Sequence, residues 1–352
     1  MPLFRNPGGS APPRTAGGLV PVPNPPPTVP MSGDPLAFRI KADLDQGRWQ
    51  DFHDFLEATR DWGMRSFYVT QLSGSVPGRP DWIEDWVAAR PRSGVALLFR
   101  GAHGVSWAWE ARGSGRAKSV REEAWPLFHG RLVDADRDLA RAAALDDADP
   151  TPHAHSLTAA MGLSLGLTEA RRRFGEAIRR DPWHNGAHSR MIQVTAAKWA
   201  GSHEDMLGFA RWASARAPEG RGLHYVIPLA HIERWLDLSS EPNDGKVRAR
   251  GYFRAEEVRA EIRQAALRSI YSPRYVPSLN TISERNAFAM ALRLMHDYAA
   301  QLDQMQLIGP LIQRAPWHYH GDPGAAYERA RQAALDGVGE PGASEWRPNP
   351  AP

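Results

Sequence analysis

Apolar residues recur along this chain at helical spacing, and one helical phrase repeats. It reads Ala170-x3-Phe174-x2-Ala177-Ile178-x2-Asp181-Pro182. Positions i, i+4, i+7 and i+8 share one face of a helix, and the proline stops it. Leu139 and Phe209 stand 35 positions before and after Phe174, and Ala142 and Ala213 echo Ala177. That interval is close to the ~34-residue period of a two-helix repeat, whose unit buries its apolar face only by stacking on neighbours. The small alanines allow close helix approach, and the larger residues fill the space between.

The pattern predicts second helices of such units over 132–145, 168–180 and 204–215, ending near Asp147, Pro182 and Pro218. Helices over 223–236, 255–269, 284–301 and 325–335 continue the series with less regular spacing. Upstream, Leu36, Ile40 and Leu44 make one face, and Trp49, Phe52, Phe55 and Leu56 make the next. Helices over 61–72, 81–89 and 93–112 follow; Asp81 with Glu84 reads as a capping box, and Gly113 as a C-cap. No alternating strand pattern of useful length occurs. The expected fold is all-α, a tetratricopeptide-like helical-repeat solenoid over 116–335 behind an irregular helical part at 34–115. Residues 1–33 and 336–352 are Pro/Gly-rich, and both ends are expected to be disordered or polyproline-like, with Met31 a conceivable start.

Composition narrows the function classes. The chain has 352 residues, 43 basic and 40 acidic, for a formal net charge of +3. Basic and acidic residues alternate instead of forming a positive stripe, which argues against nucleic acid. The densest basic stretch, Arg171 to Arg173 with Arg179 and Arg180, fans around a helix and reads as a solvated face. There is no cysteine, which removes disulfides, thiol catalysis and cysteine metal clusters. No apolar run is long enough to span a membrane and no signal peptide opens the chain, so the expectation is a cytoplasmic protein without membrane partners. Arginine far outnumbers lysine, with only Lys41, Lys118, Lys198 and Lys246, as in GC-rich bacterial genomes.

The Phe174 to Pro182 phrase resembles the second helix of tetratricopeptide repeats. Lys198-Trp199-Ala200-Gly201-Ser202-His203-Glu204-x-Met206, Ala230-His231-Ile232-Glu233 and Pro316-Trp317 with Gly321-Asp322-Pro323 resemble an uncharacterised actinobacterial family with such a domain, over roughly 34–335. The resemblance implies a fold and transfers no catalytic residue.

Several side chains carry candidate chemistry. His184 and His188, four apart, share a helix face and suit a divalent ion; His203, Glu204 or His231 would complete the set for a metal-assisted hydrolase. Nothing matches H-E-x-x-H, because Asp205 and Met206 follow His203-Glu204. Gly201 and Ser202 read as a C-cap and an N-cap, with Glu204 and Asp205 at the positive helix end and Lys198 in the last turn before it. His224 and His231 share a face near Glu233, without a nucleophile elbow or a phosphate loop beside them. The tryptophans and the loop from Trp317 to Asp322 read as packing.

The leading expectation is a non-catalytic scaffold or adaptor without a cofactor. Its concave groove, made by the first helix of each unit, would hold a protein or peptide partner encoded nearby. His155, Ser189, Gln193, Lys198, His224 and His231 are the expected groove lining. The metal-assisted hydrolase is the alternative.

Overall fold

The computed structural model describes residues 26–113, 120–339, 346 and 348. Among these residues the chain is all-helical, with 16 α-helices and no strand. Helices α1 (Pro35–Leu44), α2 (Gln50–Ala58), α3 (Trp62–Ser73), α4 (Asp81–Ala89) and α5 (Gly94–Arg112) come first. Then follow α6 (Ala124–Leu145), α7 (Thr151–Gly162), α8 (Gly166–Arg180), α9 (Asn185–Thr195), α10 (His203–Arg216) and α11 (Val226–Ser240). The last five are α12 (Gly245–Tyr252), α13 (Glu256–Arg268), α14 (Thr281–Met295), α15 (Tyr298–Ile308) and α16 (Pro323–Gly337).

Local chemistry sets many of the ends. Asp34, Asp61, Ser93, Ser202 and Asp322 each accept a backbone N–H in the first turn of α1, α3, α5, α10 and α16. Gly113 closes α5 at φ 75°. The capping box at Asp81 does not form: α4 begins at Asp81 itself, and Glu84 binds Arg79 and Arg100 instead. Gly201 is obligatory for a different reason, since a Cβ there would stand 2.2 Å from the Thr195 carbonyl oxygen. The single helix expected over 284–301 is two. His296 turns left-handed at φ 60°, and the buried Asp297 carboxylate behind it takes Arg259 and Arg263, both at 3.0 Å. That pair of guanidiniums compensates a charge that would otherwise break the packing.

Helices α5, α7, α9 and α11 each touch the next, while α6, α8 and α10 lie outside, each packed on its neighbours in sequence. Cross-links between successive pairs recur at a near-constant separation. Arg173 reaches Asp136, Arg180 reaches Asp147, Arg171 reaches Asp205 and Lys198 reaches Glu233, across 37, 33, 34 and 35 residues. The basic stretch is therefore not simply a solvated face: Arg173 is buried, and all five arginines meet carboxylates. Between the layers Ala142, Ala177 and Ala213 are buried, and the Phe174 ring stands edge-on to Phe209 at 5.1 Å and to His188 at 5.0 Å.

Helix α3 lies across the inner row and touches α5, α7 and α9. Arg65, buried within it, holds Asp149 at 2.7 Å and the Leu56 and Thr59 carbonyls at 2.9 and 2.8 Å, tying α3 to the turn before α7. Residues 26–33, which the sequence places in the tail, are packed. Val29 N–H donates to the Ile312 carbonyl at 2.7 Å, the Gln313 amide donates to Ser32 Oγ at 2.8 Å, and Met31 is buried. The segment before α1 is thus bonded to the segment between α15 and α16. Residues 1–25 and most of 340–352 lie outside the described residues.

Candidate functional site

A cavity of about 440 Å³ sits where α3, α9, α11 and α14 converge, floored by the segment from Gln313 to Tyr319. Ser66 and Thr70 face it from α3, and His184, Gly186, Ser189 and Arg190 from the start of α9. Tyr225 and Glu233 border it from the α11 side, and Ser283 from α14. Phe67, Leu229, Ile232 and Ala287 supply an apolar wall. Helix α3 covers the middle of the surface on which the sequence predicted an open groove. What remains there is a partly open cavity.

Arg190 is the unusual member. Its guanidinium donates to the Gly186 carbonyl at 3.0 Å and lies 3.3 Å from Thr70 Oγ1 and 3.4 Å from His155 Nδ1. No carboxylate among the described residues pairs with it. Burial pulls its pKa down to about 10, against a small opposing effect of the Tyr225 hydroxyl, so it stays charged at neutral pH. Burying an unpaired cation is costly. Gly186 makes the approach possible: a Cβ there would lie 2.5 Å from Arg190 Nη1 and 3.3 Å from both His184 Cε1 and Ser66 Oγ.

His184 is 1% exposed, and its Nδ1 accepts the Ala187 N–H at 3.0 Å as the cap of α9. The remaining ring nitrogen, Nε2, must then carry the hydrogen, and it has no acceptor. Burial, aided by the Arg190 and His188 charges, takes its pKa down to about 3, so the ring is neutral. His155 is held neutral in the same way, by burial and by Arg190. Behind the wall, Tyr225 donates to Asn185 Oδ1 at 2.8 Å, while Tyr275 donates to Glu284 at 2.8 Å. Burial raises Glu284 to about 7. On the far side Glu233 accepts Gln193 at 2.8 Å, Lys198 at 2.6 Å and Tyr319 at 3.4 Å.

The sequence-predicted residues distribute unevenly over this site. Ser189 and His184 border the cavity, and His155 touches it through Thr70 and Arg190. Gln193 and Lys198 are near but engaged with Glu233; Lys198 lies beyond the end of α9 and makes an ion pair there. His224 faces away, with its ring nitrogens against Ser214 Oγ and the Pro218 carbonyl. His231 also faces away, toward Tyr252 and Glu261 between α11, α12 and α13. These two do not border the cavity.

The alternative metal set is likewise scattered. His188 packs against Phe174 and Phe209, and His203 pairs with Asp237 at 2.9 Å. Glu204 borders a separate surface hollow beside Trp212, and His231 lies with Glu261. Among the described residues no three metal-ligating side chains converge. Packing explains the separation: the i, i+4 histidines share a face, but the cap geometry of His184 and the aromatic contacts of His188 aim them apart.

Arg190, Ser66, Thr70 and Tyr225 were missed. Arg190 follows Gly186 by four, with Gln193 three further on, so one face of α9 is polar in a helix that is otherwise buried. That face is a readable signal. The contribution of α3, more than a hundred residues away, is not. No family model, curated protein or solved structure matches the chain. No helix among the described residues is long and apolar enough to cross a membrane.

Proposed function

We propose that the protein is a non-catalytic binding module on a tetratricopeptide-like stack, and that its ligand is a small molecule held in the cavity between α3, α9, α11 and α14. The observation that carries this reading is the cavity itself: a partly open space lined by apolar side chains and by polar side chains not fully used by the protein. The repeat reading is supported by ion pairs that recur at one interval along the stack. A concave face is where stacked helix pairs present their binding surface. Here the helix laid across it narrows the occupant from an extended peptide to something compact. A protein partner would then read the ligand state from outside, as an adaptor.

The test is a thermal-shift screen of the full chain against small metabolites of differing charge. At least one compound should raise the melting temperature, because a ligand bound only by the folded state stabilises it by mass action. Leu229→Trp, which fills the cavity from its apolar wall, should abolish that rise. A rise that survives Leu229→Trp would move the site elsewhere.

A further inference from the structure

We infer that the cavity takes a small monocarboxylate, its head group on the Arg190 guanidinium beside Ser66 Oγ and its hydrocarbon part against Phe67, Leu229 and Ala287. This rests on the cavity being the binding site. Two independent observations point to an anion. The first is a guanidinium without a carboxylate partner, whose bonds go to a carbonyl, a hydroxyl and a neutral imidazole. Such a charge is compensated when an anion arrives, and a planar fork suits a carboxylate. The second is Ser66 Oγ, a hydroxyl brought beside the guanidinium at Gly186 and lining the same cavity, which supplies a further donor to one head group. The first turn of α9 adds the positive end of its helix.

Charge counting selects one negative charge. Arg190 is the cation at this wall, since His184 and His155 are neutral there, and the Glu233 carboxylate borders the same cavity. A dianion such as phosphate would bring one charge too many. Size selects a body beyond the head group: about 440 Å³ holds roughly fifteen non-hydrogen atoms at the ~30 Å³ that a water molecule occupies in the liquid. The apolar residues lie on the wall facing that body.

The experiment is calorimetric titration of the full chain with hexanoate and benzoate, beside hexanol and inorganic phosphate. Hexanoate or benzoate is expected to bind, and phosphate and hexanol are not. Arg190→Gln should weaken the carboxylate at least ten-fold without lowering the melting temperature of the ligand-free chain, because it removes an unpaired charge. Gly186→Ala, which sets a methyl group against the guanidinium while leaving Arg190 in place, should weaken it as well. Hexanol binding as tightly as hexanoate, and blocked by Leu229→Trp, overturns the anion and leaves the cavity site standing. Phosphate binding in preference, or carboxylate binding unaffected by Arg190→Gln, overturns the inference also. If neither carboxylate binds, the inference fails, and the metabolite screen decides the cavity reading separately.

Discussion

At the scale of single residues, this chain buries titratable groups and leaves their protonation to the fold. His184, His188 and His224 are nearly inaccessible, and burial takes them to about 3, 4 and 4. Below pH 6.5 the unfolded chain takes up a proton at each of them and the folded chain does not, so stability falls with falling pH. Three such groups cost about 4 kcal/mol per pH unit, at ~1.4 kcal/mol each. A typical margin of ~5–15 kcal/mol is then exhausted within a few units. An acid titration followed by far-ultraviolet dichroism should show helix loss beginning near pH 6, and helix intact at pH 4 would contradict it. Glu284 works in the opposite sense. Its carboxyl, raised to about 7 by burial, is protonated in the folded chain where the unfolded chain is ionised, so stability is lost as pH rises from about 4.5 through 7. Glu284→Gln keeps the acceptor for Tyr275 and should raise the melting temperature at pH 8 but not at pH 5. The shift of about 2.5 units corresponds to about 3 kcal/mol.

At the scale of elements, Phe174 and Gln193 separate packing from polar support. Phe174→Ala removes a ring held by Phe209, His188 and Trp212, and buried phenylalanines cost ~3–5 kcal/mol. Because the ring also borders a surface hollow, the lower end is expected, measured by denaturant titration. Gln193→Ala would be thermally silent on an open groove. Here its amide supports the buried Glu233, so a loss of about 1–2 kcal/mol is expected from the same measurement. The difference shows what the sequence carried. Helices with one apolar stripe, such as α8 with Ala170, Phe174 and Ala177, were legible because periodicity alone defines them. The break at His296 was not, since it depends on a carboxylate held by arginines of α13, more than thirty residues away. Caps at Asp61, Ser93 and Ser202 sit beside the stripes they open. The site was legible only where one helix carries it: Ser189 and His184 could be found, whereas the wall of α3 residues is set by tertiary packing.

At the scale of the whole molecule, the described chain returns on itself. Residues 26–33 reach 311–313 through Val29, Ser32 and Gly33, so the segment before α1 is bonded to the segment after α15. A protease should therefore spare 26–33, and starting the chain at Asp34 should lower the melting temperature. An open array of repeats frays from its ends, each unit depending on the one beside it. Here the contact between 26–33 and 311–313 places the helices from α1 to α15 within one closed loop of chain. Opening one helix pair within that loop leaves its two flanks still joined through the closure. Native-state hydrogen exchange should then report one common protection level across α5 to α14 in place of a gradient falling toward the ends. Breaking the closure at Val29 with a proline, which removes the N–H that Ile312 accepts, should restore the gradient before it abolishes the fold.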